Sequence, residues 1–303
     1  MSAGRLFPGF SNGIANAGRI QIPYVMAGNG PPLLLLHGHP QTHAIWHKVA
    51  PALAQTFTVI ASDLRGYGDA SKPAGLADHS NYSKREMARD QVALMQGLGF
   101  ERFLLVGHDR GGRVGHRLAM DHPHAVEKMM LLDISPTLAM YEQTSMEFAH
   151  AYWHWFFLIQ PAPLPERLIS ADPEFYLHEY MGKRSAGMRP FAPEAWAEYL
   201  RAMSDPACVH AMCEDYRAAA TIDLEHDRAD RDAGKKLSCP LRVLWGQQGT
   251  IEKCFDPLKD WCRVAETVSG RALDCGHYIP EEAPEALLAE IQEFFTRGEH
   301  GNP

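Results

Sequence analysis

The stretch Phe103-Leu104-Leu105-Val106-Gly107-His108-Asp109-Arg110-Gly111-Gly112 restricts the fold of this chain more than any other. Its four leading apolar residues read as a short buried strand, and Arg113 to His122 read as the start of a helix. The Gly-x-Asp-x-Gly between them is the pattern of a sharp strand-to-helix turn that lifts one side chain above a sheet. Glycines flank that side chain because the turn is strained and neighbouring backbone must pass close by.

The same alternation recurs on both sides. Arg19 to Ala27, Pro32 to Leu36, Phe57 to Ser62, Lys128 to Ile134, Pro240 to Gly246 and Val268 to Leu273 read as strands. The Pro32–Leu36 run is almost purely leucine, as expected where both sheet faces are covered. Thr42 to Gln55, Ser83 to Gly97, a segment near Cys254–Arg263 and Pro284 to Thr296 carry helical spacing. Ser83 and Glu86 are placed as a capping box. Alternation of this kind predicts an α/β fold, a mostly parallel sheet flanked by helices on both faces. It stops after Pro136. Residues 137–230 show aromatics, prolines and charged helical stretches but no strong strand pattern, which predicts a helical cap inserted into a core of residues 1–136 and 231–303.

At 303 residues, 46% hydrophobic and 22% charged, the chain has ample material for a core. A formal charge of −8 argues against nucleic-acid and membrane-surface partners. No apolar run approaches the roughly 18–20 residues of a spanning helix. Residues 1–15 lack the apolar region of a secretory signal. The six cysteines form no C-x-x-C pair. Reduced thiols and a cytoplasmic location are the expectation.

Three strand-end residues follow the chain order nucleophile, acid, histidine of the α/β-hydrolase fold. Asp109 is the candidate nucleophile, Asp133 closes the strand Met129-Met130-Leu131-Leu132, and His277 follows the last strand in Cys275-Gly276-His277-Tyr278-Ile279-Pro280. A carboxylate at the turn cannot perform the acyl chemistry of serine. It can attack a carbon bearing a leaving group and form an enzyme-bound ester. Arg110 and Arg113 lie in the first helical turn, where the macrodipole is already positive, at a local cost of ~0.3–1 kcal/mol each. The bland reading ties them to neighbouring carboxylates at the surface. The sharper reading is a clamp for a substrate carboxylate.

With His37-Gly38-His39-Pro40-Gln41-Thr42 and Asp63-Leu64-Arg65-Gly66-Tyr67-Gly68 added to the elbow and the His277 loop, the chain resembles haloacetate dehalogenases, in particular fluoroacetate dehalogenases, over nearly its whole length. These stand in the α/β-hydrolase superfamily beside haloalkane dehalogenases and epoxide hydrolases. Haloalkane dehalogenases typically carry tryptophan after the nucleophile; Arg110 departs from that and favours a charged substrate. The resemblance implies that His154, Trp155 and Tyr216 donate hydrogen bonds to the departing halide. It implies a small haloacid substrate, no metal or organic cofactor, and a homodimer. Many epoxide hydrolases place the triad acid after the strand matching Leu241–Trp245; here Gly246-Gln247-Gln248-Gly249 follows without a carboxylate, leaving Asp133 as the acid. His37, Asp63 and Arg65 read as loop braces, and His39 stands where another aromatic or asparagine is usual. Epoxide hydrolysis and small-molecule binding on a silent scaffold are the rival readings.

Overall fold

The computed structural model describes residues 6–184 and 186–296. Eight strands form one sheet: β1 (Ser11–Ala17), β2 (Ile20–Ala27), β3 (Pro32–Leu36), β4 (Thr58–Ser62), β5 (Phe103–His108), β6 (Val126–Leu132), β7 (Leu241–Gly246) and β8 (Val268–Leu273). Their spatial order is β1-β2-β4-β3-β5-β6-β7-β8. β1 pairs antiparallel with β2, and β2 with β4; every later pairing is parallel. The central strands are buried on both faces, Leu33 to Leu36 being fully inaccessible, as their unbroken apolar sequences require.

Four readings change in detail. β1 carries only one large apolar residue, Ile14, itself 62% exposed, so periodicity does not reveal it; antiparallel pairing with β2 makes it a strand. Thr42–Gln55 is not one helix but a 3-10 turn, His43–Lys48, followed by a short helix, Ala50–Leu53. Pro51 explains the break, since its ring cannot follow a continuous turn and it has no N–H to donate. Pro257 divides the region around Cys254–Arg263 into Thr250–Cys254 and Pro257–Cys262 in the same way. At the helix Lys84–Gly97, the Ser83 side chain accepts from the Glu86 N–H, forming half of the expected box; the Ser83 N–H bonds instead to Ser80 O.

Between β6 and β7 the described chain passes only through helical segments, from Thr137 to Asp232, so the expected boundary at 230 falls inside the last of them, Ile222–Asp232. This insert lies against the sheet's C-terminal edge: Phe148 packs on Phe255, and Phe191 on Tyr278. All six cysteines are free. Among the described residues, no helix is long and apolar enough to cross a membrane.

Candidate active site

The turn after β5 has the geometry its glycines suggest. Asp109 adopts φ 45°, ψ −114°, a region costing ~1–3 kcal/mol for a non-glycine residue. A Cβ on Gly111 would stand 2.4 Å from the carbonyl oxygens of Leu36 and His37, and one on Gly38 would stand 2.5 Å from Asp109 Cβ. Those two glycines let the helix and the His37–Pro40 loop close around the aspartate. The His39 backbone N–H donates to Asp109 Oδ2 at 3.1 Å. Burial opposes ionisation of Asp109, but His277, Arg113 and Arg110 outweigh it and hold the carboxyl at about 2.

Asp133 follows β6, also at positive φ (54°), with its N–H on Leu244 O at 2.8 Å. Its Oδ1 accepts from the Gly246 N–H at 2.9 Å, and its Oδ2 lies 2.5 Å from His277 Nδ1. The β7 turn thus supplies a backbone donor to Asp133, where many epoxide hydrolases would place an acid. Burial raises the Asp133 carboxyl, to about 7, and lowers the His277 imidazole well below its usual value. The Nδ1–Oδ2 hydrogen bond orients the His277 ring. His277 Nε2 is buried and unpartnered, leaving a lone pair free for a water.

Arg110 and Arg113 are buried, 0% and 3% exposed, so they are not surface arginines. Their partners differ. Arg110 Nε and Nη2 fork onto Asp215 at 2.9 and 2.8 Å, and Lys84 also pairs with Asp215. Asp215 is held far below the carboxylate range: burial opposes this, and Arg110 and Lys84 outweigh it. Arg110 therefore enters the site already neutralised, with only Nη1 unpartnered. Arg113 pairs with no carboxylate among the described residues. It donates to Ser135 O at 3.2 Å and Thr137 Oγ1 at 2.9 Å, and its Nε is unpartnered. Burial, then the neighbouring Arg110, lowers its pKa.

The insert brings the remaining predicted residues to the same place. Tyr216 lies under the Arg110 guanidinium, 4.1 Å from ring centroid to Cζ, and Trp155 under Arg113 at 4.7 Å. Tyr216 and Trp155 are 6.4 Å apart by ring centroids, and Tyr216 and His154 are 5.8 Å apart. Each presents a buried polar atom without a partner: His154 Nδ1, Trp155 Nε1 and Tyr216 Oη. Burial, then Arg184, keeps His154 neutral. A neutral His154 whose Nε2 accepts from the Tyr180 hydroxyl, 3.2 Å away, carries its proton on Nδ1. Unpartnered buried donors cost ~1–3 kcal/mol each, and here they are grouped.

His37 braces a loop through Nε2, which accepts from the Leu64 N–H at 3.0 Å. Asp63 accepts from the His43 and Asp69 N–H groups, and Arg65 pairs with Asp90. The His39 ring stacks on His154 at 6.2 Å and meets Tyr176 through Nε2 at 3.3 Å. Two residues at the site escaped the sequence reading. Asp215, which holds Arg110, adjoins Tyr216 on the helix Pro206–Ala220, and an acid beside a candidate donor was the available signal. Arg184 lies over the rings of Tyr180, Tyr152 and Tyr278 at 4.7, 5.1 and 5.6 Å; no spacing marks it.

Known proteins share this arrangement of chain. A family model described as alpha/beta hydrolase fold matches residues 31–284. A fluoroacetate dehalogenase from Burkholderia sp is 45% identical over 297 residues, covering 98% of this chain and 97% of that protein. A soluble epoxide hydrolase from Corynebacterium sp. is 36% identical over 277 residues, covering 90% and 93%. A solved structure from Nostoc sp PCC 7120 superposes with a TM-score of 0.92 at 57% identity, covering 96% of this chain and 99% of the other.

Proposed function

Since the chain belongs to the α/β-hydrolase fold family, we propose that this hydrolase removes halide from short 2-haloacids such as haloacetates, with Asp109 as nucleophile. One observation carries the reading. Six of the buried atoms left unpartnered, Arg110 Nη1, Arg113 Nε, His154 Nδ1, Trp155 Nε1, Tyr216 Oη and His277 Nε2, are those that a haloacid and a water would engage.

In this reading the substrate carboxylate sits against Arg110 Nη1 and Arg113 Nε, and the halogen faces His154, Trp155 and Tyr216. Asp109 forms a C–O bond to the alpha carbon in line with the carbon–halogen bond, which breaks with its electron pair leaving as halide. The donors meet charge as it develops on that halogen, where preorganised groups count most. His277 Nε2 then takes a proton from water, whose oxygen attacks the Asp109 carbonyl carbon, and the His39 N–H stabilises the oxyanion. The 2-hydroxyacid leaves, Asp109 is restored as carboxylate, and one proton is released to solvent. The resemblance to a fluoroacetate dehalogenase adds support at the level of the whole chain.

Epoxide hydrolysis is the second reading, favoured by the 36% identical relative, and it uses the same nucleophile and base. A neutral epoxide would leave the Arg113 charge buried without an anion, which favours the haloacid. The test is to incubate the protein with fluoroacetate, chloroacetate and styrene oxide, then to quantify halide by ion chromatography and diol by gas chromatography. Halide from the acids is the expected result. Diol alone would establish the epoxide reading, and neither product would reduce the site to one that binds without turnover.

A further inference from the structure

Arg184 has no part in the chemistry above, yet it stands over the Tyr152, Tyr180 and Tyr278 rings beside the site. The three tyrosine rings around it also touch the site's histidines. Tyr278 lies 5.0 Å from His277, Tyr152 lies 6.3 Å from His277 and 5.1 Å from His154, and Tyr180 lies 4.5 Å from His154, all by ring centroids. The Arg184 charge is felt at His277, Asp133, His154 and His39. No carboxylate pairs with it among the described residues. Arg184 also hydrogen-bonds the Tyr152 and Tyr180 hydroxyls, so its partners are neutral and its positive charge stays uncompensated and open to an anion.

A second feature points the same way. The Tyr278 side chain is buried, 1% exposed, and its hydroxyl has no hydrogen-bond partner. The Arg184 guanidinium stands 5.6 Å from the Tyr278 ring, and Asp109 and Arg184 both act electrostatically on that hydroxyl. Arg110 and Arg113 stack on different rings, Tyr216 and Trp155. The site therefore has two separate cationic groups, one on Tyr216 and Trp155 and the other on Tyr152, Tyr180 and Tyr278.

We propose that Arg184 and Tyr278 Oη form a second anion contact, so that the site takes 2-halodicarboxylates, with one carboxylate on Arg110 and Arg113 and the other on Arg184 and Tyr278. The inference rests on the haloacid reading and extends its substrate class. For 2-chlorosuccinate, Asp109 displaces chloride from C2, and water then hydrolyses the ester, giving malate, chloride and one proton. A charge-assisted contact of this kind contributes ~1.5–3 kcal/mol, equivalent to roughly 10–150-fold in affinity.

The test compares kcat/KM for chloroacetate and for each enantiomer of 2-chlorosuccinate in the wild-type protein, Arg184→Gln, Arg184→Lys and Tyr278→Phe. Calorimetric titration of malate against glycolate supplies a second readout that needs no turnover. Expected is a ratio of diacid to monoacid kcat/KM that falls at least tenfold in Arg184→Gln and is partly restored in Arg184→Lys. Malate should lose affinity in Arg184→Gln where glycolate does not. Turnover of chloroacetate with none of either chlorosuccinate, or an equal loss on both substrate classes with unaltered malate binding, would overturn the second contact while sparing the haloacid reading. Absence of halide from every acid would instead remove the haloacid reading itself; malate binding that depends on Arg184 would still support the contact, and indifferent binding would end it.

Discussion

The two walls of the pocket are organised in opposite ways. On the sheet side, Asp109 and Asp133 are fixed by backbone: both take positive φ, and their N–H groups bond to Leu132 O and Leu244 O. Their carboxylates are also engaged, by the His39 N–H, the Gly246 N–H and His277. On the insert side, His154, Trp155 and Tyr216 are fixed by ring packing, and His154 Nδ1, Trp155 Nε1 and Tyr216 Oη have no partners. The sheet side holds its two carboxylates satisfied, and the insert holds these three donors in reserve. The contrast suits a reaction in which the nucleophile must be aimed before substrate arrives, while donors to a leaving group act only as charge appears.

If the walls divide the chemistry in this way, breaking each should stop a different step. On the sheet side, His277→Ala should lower steady-state turnover by about 10²–10⁴-fold while leaving the first halide release nearly intact. Rapid-quench analysis should show a stoichiometric halide burst, and peptide mass spectrometry an ester on Asp109. A variant that turns over at the wild-type rate would remove His277 from the role of base. On the insert side, Trp155→Phe keeps the ring under Arg113 but deletes one donor. The burst itself should slow, by about 10²-fold for fluoroacetate and less for bromoacetate, because the poorer leaving group needs more help. Equal slowing for both halogens would show that Trp155 only packs.

The smallest effect should separate the two arginines. Arg113→Met removes a cation that has no carboxylate partner among the described residues, so the fold should tolerate it, with kcat/KM for haloacids reduced roughly 10–100-fold. Arg110→Met leaves Asp215 with the Lys84 cation and the Tyr67 hydroxyl and should destabilise the protein by about 3–5 kcal/mol, as breaking a buried pair does. Chemical denaturation of both variants checks this; equal midpoints would mean that the Arg110–Asp215 pair adds nothing to the fold.

The legibility of the two walls differs for the same physical reason. Gly107, Asp109 and Gly111 are spaced by a backbone constraint, so the turn and its reactive residue can be read directly, and the strands around it declare themselves by continuous apolar runs. The insert has no such rule. His154, Trp155 and Tyr216 became candidates through resemblance to a family, not through spacing. Arg184 was not visible because a cation caged by Tyr152, Tyr180 and Tyr278 draws those rings from three separate stretches of chain. The missing acid partner of Arg113 was equally hidden, since sequence shows both arginines in one helical turn and not which of them Asp215 would take.

The Arg110–Asp215–Lys84 cluster has a consequence for how anything enters. Asp215 belongs to the insert, whereas Arg110 and Lys84 belong to the sheet side, and all three are buried. Swinging the insert away as a rigid lid would tear charges apart inside protein, adding about 3–5 kcal/mol to an opening barrier and slowing it by about 10²–10⁴-fold. Traffic that leaves this rivet closed, through shifts of individual side chains and short segments, avoids that barrier. The timing of product release is then a property of the pocket's rim, separable by mutation from the chemistry at its floor.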